Sequence, residues 1–457
     1  MTFPRYPEYK DSGVEWLGEV PAHWDVEPCR AVFTERSERN DPLVNEDYLS
    51  LMANVGVIPY ADKGDVGNKK PEDLTKCKLV FTGDLVINSM NYGIGSYGLS
   101  SYTGICSPVY IVLKPKLERI EERFAFRILE NKAFQGFAQS HGNGILEHRA
   151  AINWDILKGI GVPLPPVQEQ QAILQLLDHE TAKIDALVAE QEKLIALLQE
   201  KRQAVISHAV TKGLDPNVPM KDSGVEWLGE VPAHWEVMRL RNVTTLNPSK
   251  SEVSHLLRET EVSFLPMEAV GDDGTLNLDR TRPIGEVESG YTYFREGDVT
   301  IAKITPCFEN GKGAVMRRLH NGHGFGTTEL IVVRPVIGAV LSDFLHSLFI
   351  SNQFRQLGEA AMYGAGGQKR VPDDFVRDFS VALPPLVEQA EIHAFIDRET
   401  TKLDALMAEA RNAISLLQER RSALISAAVT GQIDVRGLSG GANAPYFIAS
   451  SAYSVTA

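Results

Sequence analysis

This chain is poor in the features that mark several large protein classes. It has four cysteines in 457 residues (Cys29, Cys77, Cys106 and Cys307), far apart and without CxxC or Cys/His ligand spacing. Such usage fits a reducing cytoplasm and gives no basis for a zinc site or a disulfide framework. No apolar run reaches the ~18–20 residues that a membrane helix needs, so no membrane partner is expected. The opening MTFPRYPEYKDSG lacks the basic end and apolar centre of a secretory signal. Positive charge is also short: 46 Lys and Arg face 60 Asp and Glu, a net charge of −14. Residues 1–165 carry 18 basic and 22 acidic side chains, and 214–384 carry 17 and 23. Residues 166–213 and 385–431 carry 5 and 7 each. No segment is basic, so any affinity for nucleic acid must come from local clusters or from partners that supply cations.

Catalytic motifs are missing as well. There is no GxxxxGK[ST], which removes a P-loop ATPase. The glycine-rich stretches Gly93–Gly98 and Gly364–Gly367 lack the spacing and context of a dinucleotide site. Asn247-Pro248 continues as Ser-Lys, which departs from the Asn-Pro-Pro-aromatic stretch of amino-methyltransferases. A metal-dependent nuclease needs clustered acids and a lysine. The nearest approach, Pro372-Asp373-Asp374, has no acidic-x-Lys partner downstream and reads as a turn and helix start. The 11 histidines are scattered.

What the chain does have is repetition. Lys10–Trp24, KDSGVEWLGEVPAHW, returns unchanged over 15 residues as Lys221–Trp235. Leu164–Lys212 matches Leu383–Gly431 at 27 of 49 positions. Between these frames lie two stretches of similar length that barely resemble each other. Both nonetheless carry a Gly-Asp turn before a strand (Gly83-Asp84, Gly297-Asp298) and a strand ending in Lys/Arg-Pro (Lys114-Pro115, Arg334-Pro335). Runs such as KLVF, DLVI, PVYIVLKP, DVTIAKI and ELIVVRP predict strands, with helical stretches near Glu121–Gln139 and Leu341–Leu357.

After each Leu-Pro-Pro a long helix is predicted. Gln168–Val210 holds neither Pro nor Gly over 43 residues. Ile173, Leu177, Ile184, Leu187, Leu194, Leu198 and Val205 form an apolar stripe, repeated by Ile392, Ile396, Leu403, Leu406, Leu417 and Leu424. Spacings of 3, 4 and 7 describe a seam that another helix must cover, and the other copy is the natural cover. The expected fold is α+β: two α/β globules alternating with two long helices that pack as an antiparallel coiled coil, in a pseudo-two-fold tandem repeat. The expected boundaries are 1–163, 164–213, 214–382, 383–436 and a flexible tail, 437–457. The pairs Trp16/Trp24 and Trp227/Trp235 read as core anchors, since residues identical in both copies cannot distinguish two targets.

The duplicated frame, the KDSGVEWLGEVPAHW openings, the run GDVTIAKITPCFENGKGA (Gly297–Ala314) and the LPPxxEQ helix starts together resemble the specificity subunit of type I restriction–modification enzymes. The resemblance covers residues 1 to about 436. It implies that each divergent insert is a target-recognition domain for one half of a split double-stranded DNA sequence, and that the helices are a spacer. It further implies that two modification subunits dock on the chain and that two restriction subunits can join. S-adenosylmethionine and ATP would then sit on those partners, with no cofactor, metal or catalysis here. A scaffold whose inserts read no DNA is the rival expectation.

Base readout calls for Arg or Lys on guanine and Asn or Gln on adenine, with Lys, Arg, Ser, Thr or Tyr on phosphates. In the first insert the candidates are Lys69, Lys70, Asn88, Asn91, Tyr92, Tyr97, His141, Asn143 and Arg149. In the second they are Lys303, Thr305, Asn310, Lys312, Tyr363, Gln368, Lys369 and Arg370. The loops HGNGILEHR and YGAGGQKR precede the Leu-Pro-Pro helices at comparable places. Glu190, Glu200, Glu409 and Glu419 on the helices are candidates to face the modification subunits.

Overall fold

The runs LVIN and VTIA are buried along their whole length, and each becomes the inner strand of an antiparallel sheet. The computed structural model describes residues 3–66, 69–142, 151–365 and 367–437. The chain divides into two compact units, Met1–Gln191 with Asn412–Ala457, and Glu192–Arg411. Each unit takes part of both long helices, so the units cut across the four-part linear division of the sequence.

In the first unit the sheet runs in the order Phe33–Glu35, Tyr110–Pro115, Leu85–Asn88, Tyr97–Leu99. A hairpin, Leu49–Met52 with Gly56–Pro59, and the pair Lys78–Val80 with Gly104–Cys106 add to it. The helical stretch expected near Glu121–Gln139 is two helices, Glu122–Glu130 and Lys132–Ser140. Asn131 separates them: its backbone is extended, and its side chain accepts hydrogen bonds from the N–H groups of Ala133 and Phe134. An Asn in this role ends one helix and starts the next.

The second unit repeats the sheet order with Thr244–Leu246, Leu330–Pro335, Val299–Ala302 and Gly313–Val315. Its helices are Ser342–Phe349 and Asn352–Ala360, with Ser351 as the cap between them. The hairpin and the strand pair of the first unit, joined there by the parallel bridge Tyr48–Ile105, have their counterpart here in a further four-stranded sheet. In it Glu261–Leu265 runs parallel to His323–Gly326.

The first long helix is Val167–Lys212 and the second is Leu386–Val429. In the first unit Ile173, Leu177 and Ile184 share a core with Leu424, Ile425, Ala428 and Val429. In the second, Leu198 packs with Leu403 and Met407. The early part of one helix thus meets the late part of the other, an antiparallel pairing. Ion pairs cross it at matched positions, Asp185–Arg421 at 3.2 Å in the first unit and Arg202–Asp404 at 3.1 Å in the second. The expected stripe needs correction at Leu187, Leu194 and Leu406, which are 45%, 42% and 48% exposed. A strict seven-residue step drifts by ~20° per heptad on a 3.6-residue helix. The inward side has moved to Val188, Ile195 and Met407.

The LPPxxEQ motif has a physical reading. In the first unit Glu169 lies in the helix's first turn, where a carboxylate is favoured by the helix dipole. It pairs with His23 at 2.7 Å and accepts from Trp24 Nε1 at 3.0 Å and the Tyr6 hydroxyl at 2.8 Å. Gln170, fully buried, accepts from Glu121 N–H at 2.8 Å and donates to the carbonyls of Arg119 and Pro165. Within the second unit, Glu388 holds His234 and Trp235, and Gln389 holds Leu341 N–H and the Ala339 and Pro384 carbonyls. The glutamate fastens the repeated frame to the helix; the glutamine fastens the insert. Trp24 and Trp235 are fully buried, as expected for anchors. Gly431 turns the chain at φ +77° past the second helix, where a Cβ would strike Pro21 at 2.3 Å.

The Gly-Asp turns have a reason too. Asp84 and Asp298 are both buried, and each takes an arginine through two hydrogen bonds. In the first unit this is Arg36, following strand Phe33–Glu35, at 2.7 and 3.1 Å. In the second it is Arg334, on strand Leu330–Pro335, at 2.6 and 2.8 Å. By strand register the position of Arg36 corresponds to Asn247, and that of Arg334 to Lys114. Among the described residues no helix is long and apolar enough to cross a membrane, and no cluster of three His, Cys, Asp or Glu could hold a metal ion.

Two predictions follow from this packing. Asp298→Ala leaves Arg334 buried without its main partner and should cost about 3–5 kcal/mol in urea unfolding of the second unit. Replacing both by apolar residues of similar size (Asp298→Leu with Arg334→Met) should cost far less. His346 lies half-buried against Gly274, with Nε2 donating to the Gly313 carbonyl at 3.3 Å. Loss of hydration pushes its pKa down from the ordinary 6.5. The unfolded state therefore binds more protons below that value, and the second unit loses stability as pH falls through about 6.5 toward the lowered pKa. The slope from this one group is at most about 1.4 kcal/mol per pH unit. His346→Gln should remove that part of the slope when urea midpoints are compared at neutral and mildly acidic pH.

Candidate nucleic-acid interface

The second insert brings most of its candidates together. Tyr363 and Arg370 exchange two backbone hydrogen bonds, at 3.1 and 2.9 Å, closing a loop that presents Gln368 and Lys369 to solvent. Ile304 bridges to Arg370, the Val371 N–H donates to the Lys303 carbonyl at 2.8 Å, and Thr305 Oγ1 donates to the Lys369 carbonyl at 3.3 Å. Lys303, Thr305, Tyr363, Gln368 and Lys369 thus occupy one face at the end of the inner strand. Tyr363 is 64% exposed, a ring with little to pack against. Lys303 also borders a shallow cavity of about 240 Å³ with Lys250 and Tyr291. Neither of those two stood out in the sequence.

Other candidates are engaged elsewhere. The Arg370 guanidinium is bidentate to Glu329, at 2.9 and 2.7 Å, and this hydrogen-bonded pairing holds the Glu329 carboxyl below the usual carboxylate range. Arg370 therefore acts first as the clasp of its loop. Lys312 is half-buried, with Nζ donating to the Met267 carbonyl at 3.3 Å, while Asn310 is exposed on the same turn.

In the first insert the candidates separate. Tyr92 is fully buried, its hydroxyl donating to the Leu129 carbonyl at 2.7 Å, so its ring is a core element and not a stacking platform. Asn88 is buried too; its Oδ1 accepts from Met90 N–H and shapes the turn. Asn91 is exposed, and with the two polar groups turned inward the same turn exposes Met90 and Ile94. Tyr97 is half-buried against Phe126. Lys69 and Lys70 are exposed, and Lys70 Nζ donates to the Glu46 carbonyl at 3.2 Å. His141 is exposed at a helix end, its ring tilted against Phe137 with centroids 4.5 Å apart. Asn143 and Arg149 lie outside the described residues. The Ile152 N–H donates to the Ser89 carbonyl at 3.0 Å, the match of the Val371–Lys303 bond in the other unit. Glu190, Glu200, Glu409 and Glu419 are exposed on the helices.

What this arrangement offers is polar, loop-borne and concentrated at the ends of inner strands, with Lys, Gln, Thr and Tyr in reach of a groove or backbone.

The comparisons agree in direction. The family profile of the type I restriction modification DNA specificity domain matches residues 43–196. The specificity subunit of type I restriction enzyme EcoEI from Escherichia coli is 41% identical over 165 residues, 36% of this chain and 27% of that one. The matched stretch therefore spans about a quarter of that relative's length. The EcoKI specificity subunit of Escherichia coli K12 is 24% identical over 447 residues, 91% of this chain and 90% of the relative. A chain solved in work on complex assembly and conformational transition of the type I R-M system has the same fold, with a TM-score of 0.65 at 16% identity over 91% of this chain and 99% of that one. With its duplicated frame and two inserts of like sheet order, the chain is similar to type I restriction–modification specificity subunits, and residues 43–196 carry their DNA specificity domain.

Proposed function

We propose that this chain is the non-catalytic, sequence-reading component of a type I restriction–modification complex. Each insert, within 1–163 and 214–382, reads one half of an asymmetric bipartite site in double-stranded DNA. The helical segments 164–213 and 383–436 are the spacer. Two modification subunits, which bind S-adenosylmethionine, methylate adenine where the chain directs them. Two restriction subunits, using ATP, complete the cleaving form.

One observation carries this reading. The same anchors, Glu169-Gln170 and Glu388-Gln389, fix two inserts whose exposed loops differ: Asn91 with Lys69 and Lys70 in one, Lys303, Thr305, Gln368 and Lys369 in the other. A constant mount with variable exposed loops suits two different targets. The charge of −14 opposes phosphate binding, so the free chain should bind DNA weakly and with strong salt dependence. Partner subunits would provide the missing cations.

The test is adenine-methylation mapping in cells expressing the cognate modification subunit, with and without this chain. A split motif that appears only with the chain is expected; its absence, with both proteins expressed and associated, would leave the scaffold reading. Gln368→Ala with Lys369→Ala should relax the motif in one half only. A lost base contact of this kind lowers affinity by about 10- to 100-fold, within the ~1–3 kcal/mol of a bidentate contact. Circular dichroism should be unchanged, because both side chains are exposed.

A further inference from the structure

The first unit contains a cavity of about 790 Å³ that target reading does not use. Its walls are the hairpin tip at Asn54–Val57, strand Tyr97–Leu99, helix Glu122–Glu130 and the second long helix from Arg421 to Ile425. That volume lies within the ~300–1,000 Å³ usual for small-molecule sites. We propose that it is a binding site for a nucleoside phosphate.

Charge is the first argument. On a chain with a net charge of −14, four cations converge here: Arg123, Arg127, Lys132 and Arg421. The lining carboxylates are Glu130 and Asp185. Glu130 is shared by Arg127 at 2.5 Å and Arg421 at 3.0 Å, and Asp185 takes Arg421 Nε at 3.2 Å. These bonds orient the two inner guanidiniums and leave each with N–H donors to spare. At the mouth, Arg123 meets Asp178 at 2.7 Å with both side chains nearly half exposed, a pairing that a phosphate can displace. Lys132 is exposed and donates to the neutral Gln135 amide, at 3.2 Å.

Surface chemistry is the second. The lining also includes the rings of Phe126 and Tyr102, which suit the face of a base. Tyr102 is 42% exposed. A third argument is asymmetry. Matching the helix pairs by their capping residues sets Asp343, Ser347 and Asn352 of the second unit where Arg123, Arg127 and Lys132 stand here. Arg123, Arg127 and Lys132 therefore belong to this insert, whereas Arg421 belongs to the repeated helix, where Arg202 matches it.

The phosphate could reach the site on a free nucleotide or on a nucleotide of a DNA strand, and titration calorimetry on the full chain separates the two. The probes are AMP, ATP, inorganic phosphate and a short single-stranded oligonucleotide without the methylated motif. Saturable binding of AMP or ATP, much tighter than that of phosphate alone, identifies a free-nucleotide site. Binding of the oligonucleotide alone identifies a strand site. In either case Arg123→Gln with Lys132→Gln should weaken binding about tenfold or more, Tyr102→Ala should weaken it less, and Lys132→Arg should preserve it. No binding by any probe, or binding indifferent to all these changes in chains of unaltered melting temperature, overturns the proposal. The methylated motif should be the same in these variants, so the outcome is independent of whether the chain reads its target.

Discussion

A carboxylate in the first turn of a long helix is the constraint on which this architecture rests. Glu169, and Glu388 in the other unit, receive an indole N–H and pair with a histidine from the preceding frame, at a helix end where negative charge is favoured. The neighbouring glutamines are buried and fully engaged with the start of the insert's helix pair. A charged hydrogen-bond cluster of this kind tolerates little change, because losing one member strands the others away from water. That accounts for a frame repeated without a single substitution beside inserts that share their architecture but little sequence.

Much of this was readable in the sequence because it is carried by local or periodic signals. The duplication, the two long helices, the Gly-Asp turns and the central strands each depend on neighbours a few residues apart. The capping breaks at Asn131 and Ser351 were hidden, since both lie in otherwise continuous helical patterns. The phase of the helix seam was misread at Leu187, Leu194 and Leu406 because a heptad template was laid on a 3.6-residue helix. The parallel pairing of Glu261–Leu265 with His323–Gly326 joins segments some 60 residues apart and leaves no local trace.

The interface was legible by residue type and less so by orientation. Tyr92 sits in a glycine-rich turn that looks like a surface loop, yet its hydroxyl finds the Leu129 carbonyl and its ring fills the core. Arg370 looks like a reader until Glu329, 41 residues earlier in the chain, is seen to hold it. Gln368 and Lys369 kept their expected exposure because the loop is closed behind them, by the Tyr363–Arg370 backbone bonds. Polar residues at a loop's apex can be recognised from composition. Those at its base are spent on the loop itself.

The buried aspartates bear on how such chains can diversify. Each inner strand begins with the same acid, but Arg36 neutralises it from just past the edge strand, two strands away, and Arg334 from the adjacent strand. A recombination event that joined the edge strand of the first insert to the inner strands of the second would direct two arginines at one carboxylate. The reciprocal product would have Asn247 and Lys114 at those positions, and the acid would lose its guanidinium partner. Crossovers inside the sheet are therefore penalised, whereas crossovers in the identical 15-residue frames leave every buried charge matched. The inserts can be inherited only whole, and the repeated frame marks where the cuts are safe.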